Sequence, residues 1–117
     1  MERRSDPRFL TDLDVRVTRL THPARSGHGQ LTNISNSGVC VEAPFELAEG
    51  DIVQLQIADS NLFGFVVHAR LEGTAFRVGI EVQRVLIGGT DLSKVLHLAL
   101  RRSLPSVAGV LTGGLSA

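Results

Sequence analysis

The chain has 117 residues, of which 43% are hydrophobic and 21% are charged, and its twelve basic side chains balance twelve acidic ones. This length and composition are typical of one soluble globular domain. A net charge of zero argues against a non-specific nucleic-acid binder, because neutralising phosphates with basic side chains supplies most of that affinity. The single cysteine, Cys40, excludes an intramolecular disulfide and a cysteine-based zinc site.

Targeting, metal and catalytic signals are weak throughout the sequence. No apolar run approaches the roughly 18 residues of a membrane-spanning helix, and the charged first residues lack the apolar core of a secretory signal peptide. We therefore expect a cytoplasmic protein. The four histidines, at 22, 28, 68 and 97, lack the spacing of metal ligands, and no nucleophile is placed beside a histidine and an acid. We expect no metal, no cofactor and no enzymatic activity.

Apolar and polar residues alternate in several short segments, which is the period of two typical of half-buried strands. The predicted strands cover 13–20, 30–35, 39–44, 52–58, 62–71 and 75–85. Turn-forming residues separate them, including a long turn at 21–29 and a hairpin turn at 72–74. Six short strands at this spacing predict a mainly β protein, a six-stranded antiparallel β-barrel, because closure removes exposed edges.

The alternation also predicts which side chains share one face of each strand. The sets are Leu13, Val15 and Val17; Val39 and Val41; Val53, Leu55 and Ile57; Phe63, Phe65, Val67, Ala69 and Leu71; and Phe76, Val78, Ile80 and Val82. Cys40 alternates away from its two valine neighbours and is expected to be partly exposed.

After residue 90 the apolar period becomes helical. Apolar side chains recur at Leu92, Val95, Leu96, Ala99 and Leu100. This spacing predicts one amphipathic C-terminal α-helix over 91–102 that packs its apolar stripe against the barrel, and Pro105 ends it. The predicted organisation is a flexible N-terminal arm at 1–12, a barrel with its helix at 13–102, and a partly ordered tail at 103–117.

Three arginines, Arg3, Arg4 and Arg8, fall within six positions near the N-terminus. A terminus that also carries acidic residues is ordinarily a solvated segment. The planar guanidinium fork also recognises phosphates and the O6/N7 edge of guanine with two parallel hydrogen bonds. The arginines alone leave both interpretations open.

A second polar segment, "TNISNSGV", covers residues 32–39. If 30–35 is a strand, Asn33 and Ser35 point to the same face and present donors and acceptors that suit a base edge. Gly38 can take a positive φ and allows a sharp reversal with a close backbone approach. Asn, Ser and Gly are also the residues that dominate ordinary turns.

Taken together, the two segments resemble the PilZ domain family. Arg4-Ser-Asp-Pro-Arg8 matches RxxxR, and Asn33-Ile-Ser-Asn-Ser-Gly38 matches (D/N)xSxxG about 25 residues later. The stretch "FRVGIEV" at 76–82 resembles the closing barrel strand of that family, with Gly79 in the expected place. The resemblance extends over 3–85, or through the helix to 102, and implies a barrel of the split-barrel type.

The resemblance implies binding of cyclic di-GMP, a bacterial second messenger. By position, Arg4 and Arg8 would contact the phosphates and a guanine O6/N7 edge, Asn33 and Ser35 would hold the other guanine edge, and Gly38 would shape the turn. An arginine directly before the motif, here Arg3, accompanies two stacked cyclic di-GMP molecules in similar proteins. Such proteins often carry an aromatic residue in the strand at 62–71, and here His68 takes that place.

The expected function is a cyclic di-GMP receptor or adaptor. In this hypothesis the arginine arm orders over the barrel when ligand binds and signals to an unidentified partner protein. The alternative is a PilZ-like interaction module of motility or pilus assembly that binds no nucleotide. A barrel that binds single-stranded RNA is disfavoured, because the chain has no net positive charge and neither Trp nor Tyr on which bases could stack.

Overall fold

A computed structural model describes residues 8–36 and 38–100, which form six strands and one helix. The elements are β1 (Arg8–Arg19), β2 (Arg25–Ser35), β3 (Gly38–Ala43), β4 (Ile52–Ile57), β5 (Ser60–Glu72), β6 (Ala75–Leu86) and α1 (Asp91–Leu100). The strands form a closed barrel in the order β1-β2-β3-β6-β5-β4, and β4 pairs with β1 to close it. All neighbouring pairs are antiparallel. The predicted six-stranded antiparallel β-barrel with a C-terminal helix is confirmed.

Alternate apolar side chains fill the barrel interior. Fully buried members include Val15, Val17, Val41, Val53, Leu55, Ile57, Val78 and Val85, each at most 1% exposed. Burying one such side chain contributes roughly 1.5–3 kcal/mol, so the alternation fixes which face of each strand turns inward. The shared faces predicted in β1, β3, β4 and β6 are confirmed, with Leu13 and Phe76 packed against the core at its edge.

The first two strands are longer than the alternation predicts. β1 begins at Arg8 rather than at residue 13, and β2 begins at Arg25 rather than at residue 30. The two strands pair from Arg19 opposite Arg25 to Arg8 opposite Ser35. Backbone hydrogen bonding between them therefore extends each strand into residues that show no apolar and polar alternation. Residues 8–12 of the predicted arm therefore belong to β1. Residues 1–7 and 101–117 lie outside the described chain, and the arm and tail predicted there stay predictions.

The face predicted for β5 is wrong. It groups Phe63, Phe65, Val67, Ala69 and Leu71. In the structure Leu62 and Val66 are buried in the core, so the two phenylalanines lie on the outer face. The pairing of β5 with β6 then shifts by one residue between Val66 and His68. This β-bulge inverts the alternation, and beyond it Ala69 packs against the core.

The helix α1 packs one side on the barrel and leaves the other open. Leu96 and Leu100 are buried in the core cluster, which confirms that part of the predicted stripe. Leu92 and Val95 are exposed, so the stripe is narrower than predicted. Within the described residues, no helix combines the length and the apolar character needed to cross a membrane.

The segment before α1 is fastened to the turn between β4 and β5. The Asp59 carboxylate accepts hydrogen bonds from the Gly89 amide at 2.7 Å and from the Thr90 hydroxyl at 3.0 Å. The Lys94 amide donates to the Thr90 carbonyl at 3.2 Å, which begins the helix. These contacts set the direction in which α1 leaves the barrel.

Asp51 joins the β3–β4 connection to the β1–β2 connection. Its carboxylate accepts hydrogen bonds from the Ala48 amide at 2.9 Å and the Thr21 hydroxyl at 2.8 Å, and the Arg19 guanidinium lies 3.9 Å away. The Ala48 hydrogen bond, with smaller contributions from Thr21 and Arg19, outweighs the opposing effect of burial and lowers the pKa of Asp51 below 3.8. The folded state therefore favours the charged carboxylate.

Asp51→Asn is expected to lower the free energy of unfolding by about 1 kcal/mol at pH 7, because hydrogen bonds to a charged acceptor are stronger than those to a neutral one. A carboxyl whose pKa is lowered by folding stabilises fully above its unfolded pKa, near 3.8, and loses that effect as pH falls through the folded value. The difference between wild type and variant should therefore shrink below pH 4. Urea unfolding at pH 7 and pH 3 measures it. Glu49→Gln, an exposed acid of the same connection, is the control, and an equal effect there would contradict the assignment.

Candidate functional site

A cleft of about 400 Å³ lies on the outer face of the barrel, across β2, β3, β6 and β5. Its lining residues are Asn33, Ser35, Gly38, Val39, Cys40, Val67, His68, Arg70, Arg77, Gly79, Ile80 and Glu81. Small-molecule sites commonly occupy ~300–1,000 Å³. The cleft is thus large enough for a nucleotide-sized ligand.

The pairing register arranges four of these residues in one row across the floor of the cleft. His68 of β5 lies opposite Gly79 of β6, Gly79 opposite Cys40 of β3, and Cys40 opposite Asn33 of β2. Directly opposed residues project their side chains from the same face of a sheet. We call these four residues the central row.

Two further rows flank the central row, each two residues along the strands and therefore roughly 6.6 Å away. On one side Arg70, Arg77 and Glu42 lie opposite one another, and we call them the arginine row. On the other side Glu81 lies opposite Gly38, whose carbonyl accepts a 3.4 Å hydrogen bond from the Ser35 hydroxyl. Ser35 in turn lies opposite Arg8 of β1. This second set is the serine row.

Asn33 reaches the outer face because β2 contains an irregularity. Leu31 is buried in the core, and the pairing with β3 shifts by one residue between Leu31 and Asn33. The residue between them, Thr32, donates its hydroxyl hydrogen bond to the Cys40 carbonyl at 3.1 Å. The shift lets Asn33, only 7% exposed, share the face of Ser35. The two side chains line one cleft, as the sequence predicts.

Gly38 is required by a close approach of two backbones. A Cβ at this position would lie closer than 3.0 Å to the carbonyl oxygen of Ile80 on β6. Its φ is not in the left-handed region. Gly38 therefore does not use the positive φ that a glycine allows, whereas the close backbone approach anticipated from the sequence is confirmed.

His68 covers Gly79 in the central row. The Nε2 side of its imidazole occupies the space that a Cβ of residue 79 would need, and the side chain remains exposed to the cleft. Cys40, beside Gly79, is half-buried, as predicted. The floor of the cleft thus offers an aromatic ring next to a position without a side chain.

Charged side chains border the cleft on both sides. Arg70 forms a 2.6 Å ion pair with Glu72, and Arg77 lies 3.7 Å from Glu72 and 3.8 Å from Glu42. Glu81 accepts a 2.8 Å hydrogen bond from the Gln83 amide. Among the described residues no three His, Cys, Asp or Glu side chains form a group that could hold a metal ion.

The structure places only part of the predicted ligand set. Asn33, Ser35 and Gly38 line the cleft. The backbone of Arg8 lies at the edge of the cleft through its pairing with Ser35, and its side chain is outside the described part. Arg3 and Arg4 also lie outside the described residues.

Three charged residues of the cleft, Arg70, Arg77 and Glu81, were missed by the sequence prediction. A usable signal existed for the two arginines. A glycine at the first position of a two-residue loop is a hairpin signal. The structure places the turn at 73–74 rather than at the predicted 72–74, so Glu72 pairs with Ala75 and Arg70 lies opposite Arg77. Glu81 could not be placed in this way, because the bulge in β5 intervenes.

Comparisons with known proteins agree with this architecture. The PilZ domain family model matches residues 2–92. No curated protein sequence matches the chain. Among solved structures, the Bacillus subtilis inhibitor of motility MotI/DgrA has a similar fold, with a TM-score of 0.59 and 18% sequence identity over 91% of this chain and 54% of that chain. The chain thus spans about half the length of that protein, and at this identity the likeness concerns the fold. With the family model matching more than three quarters of its residues, this chain belongs to the PilZ domain family.

Proposed function

We propose that the chain is a cyclic di-GMP receptor that signals to a partner protein. The observation that carries the proposal is the pairing of Arg8 with Ser35. This pairing brings the end of RxxxR beside (D/N)xSxxG on neighbouring strands, at one edge of a cleft of suitable size. Membership of the PilZ family supports the same ligand.

The cleft has suitable chemistry for a guanine base. The Asn33 amide both donates and accepts hydrogen bonds, and the Ser35 hydroxyl can do the same. In the proposed complex these side chains hold one guanine edge, while Arg4 and Arg8 contact the phosphates and a guanine O6/N7 edge. A base also stacks on the exposed ring of His68. The ring can lie flat on the floor of the cleft because Gly79 beneath it has no side chain.

Signalling follows from closure of the N-terminal arm over the bound ligand. In this proposal Arg4 of the arm gains charge-assisted hydrogen bonds to the ligand beside Arg8 of β1, so binding favours the closed arm by that difference in affinity. The closed arm changes the surface shown to the partner protein. Arg3 adds a third guanidinium, which in this proposal contacts a second, stacked cyclic di-GMP.

Calorimetric titration with cyclic di-GMP tests the receptor function. Wild type is expected to bind with a dissociation constant of about 1 μM, corresponding to ~8 kcal/mol. Arg8→Ala and Ser35→Ala should each weaken binding at least about tenfold, because each removes a contact to the base or phosphate. Arg84→Ala, an exposed arginine of β6 outside the cleft, is the matched control and should bind as wild type does.

The same titration reports the stoichiometry. Two ligands per chain are expected for wild type and one for Arg3→Ala. One ligand per wild-type chain would contradict the role of Arg3 alone. No binding by wild type at high micromolar ligand would falsify the receptor function.

A second candidate function is an interaction module of motility that needs no nucleotide. The fold resembles an inhibitor of motility, and α1 exposes Leu92, Val95 and Leu98 on the side away from the core. These residues are spaced three apart and share one helix face. Absence of cyclic di-GMP binding by wild type would favour this candidate.

A further inference from the structure

Much of the hydrogen-bonding capacity of Arg77 in the cleft is unused by the described part of the chain. Both of its carboxylate neighbours lie at Nη1, with Glu72 at 3.7 Å and Glu42 at 3.8 Å. These distances exceed the ~2.7–2.9 Å of charge-assisted hydrogen bonds. Within the described part of the chain, no ion pair or hydrogen bond engages Nε or Nη2. The edge of the guanidinium that forms two parallel hydrogen bonds is therefore available.

Arg77 also lies in the right place to meet a base on the floor of the cleft. It lines the cleft with its side chain 32% exposed and lies two residues from Gly79 on β6. Since the arginine row is roughly 6.6 Å from the central row, a base stacked on His68 turns one edge toward the arginine row.

The surroundings of Arg77 favour a neutral partner over a phosphate. Glu42 and Glu72 lie within 4 Å and offset the charge of the guanidinium, which weakens its attraction for an anion. They leave its N–H donors able to pair with neutral acceptors. Guanine presents two such acceptors side by side, O6 and N7, whereas adenine presents N7 beside an amino donor.

We propose that Arg77 recognises the O6/N7 edge of the guanine that stacks on His68 and thereby selects guanine over adenine in the bound cyclic dinucleotide. This assignment rests on the proposed function. It adds a specificity-determining residue on the wall of the cleft opposite the two sequence motifs. Arg70, its neighbour in the row, has Nη2 engaged by Glu72 at 2.6 Å and contributes charge without reading the base.

Titration with two different ligands tests the assignment. Cyclic di-GMP and its analogue with carbon in place of guanine N7 are titrated into wild type, Arg77→Ala, Arg77→Lys and Arg70→Ala. Wild type should bind the analogue more weakly than cyclic di-GMP. Arg77→Ala should weaken binding of cyclic di-GMP about tenfold and reduce the penalty for the analogue by a similar factor. Arg77→Lys keeps the charge but lacks the fork and should behave like Arg77→Ala, whereas Arg70→Ala should keep the wild-type penalty.

The outcomes separate this proposal from the receptor function. If wild type binds and Arg77→Ala binds equally well, or loses affinity for both probes in the same proportion, Arg77 does not read N7 and the proposal is overturned. If wild type binds neither probe, the receptor function itself fails. Thermal unfolding of each variant should match wild type, because exposed ion pairs such as those of Arg77 contribute little to stability.

Discussion

Alanine in place of Gly38 is expected to lower the free energy of unfolding by at least about 2 kcal/mol, because overpacking against a rigid neighbour typically costs 1–3 kcal/mol or more. The added Cβ would meet the carbonyl oxygen and carbon of Ile80 and the Cα of Glu81, all of them backbone atoms. No side-chain rotation can relieve this contact. The strands β3 and β6 must separate, which weakens the pairing of Gly38 with Glu81 and of Val39 with Ile80.

Gly89→Ala is the matched control for this prediction. The position is exposed and an added Cβ has no neighbour closer than 4.0 Å, so its effect on stability should be small. In thermal unfolding, Gly38→Ala should lower the midpoint by at least about 8 °C, from the usual ~4–8 °C per kcal/mol for domains of nearly this size. Equal midpoints for the two alanine variants would mean that the β3–β6 approach is not tight.

This prediction bears on how the glycine of the (D/N)xSxxG motif is interpreted. From sequence, Gly38 is explained equally well by a left-handed turn or by a close approach, since both require the absence of a side chain. The pairing of β3 with β6 decides between them, and these strands are separated by two others in the chain. The reason for the glycine therefore lies in long-range pairing that no local pattern carries.

The same distinction explains which parts of the fold the sequence predicts. β4 alternates strictly over its core-facing residues, and β6 does so from Phe76 to Val82; the burial this implies is observed for Val53, Leu55, Val78 and Ile80. β5 does not, because the bulge at Val67 changes the inward face midway. A bulge arises from the match between two strands, so the alternation of one strand alone assigns Phe63 and Phe65 to the wrong group.

Irregular pairing also shapes the candidate site. Without the shift between Leu31 and Asn33, Asn33 would point into the barrel with Leu31, since residues two apart share a face. The motif predicts that Asn33 and Ser35 act together, and the shift after Leu31 is what turns both outward. The opposite wall of the cleft contains Arg77 and Glu81, and its arrangement depends on the β3–β6 and β5–β6 pairing registers. From the sequence, only the strand pairs close to the hairpin turn could be predicted.

Alanine in place of Gly79 is expected to weaken cyclic di-GMP binding at least about fivefold while leaving stability nearly unchanged. The three atoms nearest to a Cβ at this position all belong to the ring of His68, the end of a side chain that can rotate away. Moving the ring away therefore changes the free energy of unfolding little, whereas the backbone contact at Gly38 cannot be relieved in this way. The ring then leaves the floor of the cleft, and stacking of a base on an aromatic ring is worth ~1–3 kcal/mol.

A double-mutant cycle with His68→Ala separates the ring from the glycine. His68→Ala alone should weaken binding to a similar extent as Gly79→Ala, and the double variant should be little weaker than either, because the second change removes a contact that the first has already lost. Titration calorimetry measures affinity and urea unfolding measures stability for all four proteins. Additive losses would show that Gly79 affects binding independently of the His68 ring. Unchanged binding by His68→Ala would show that His68 is not the stacking surface. Full coupling, together with tighter binding by His68→Trp, would indicate that Gly79 is needed because it leaves room for the ring beneath the ligand.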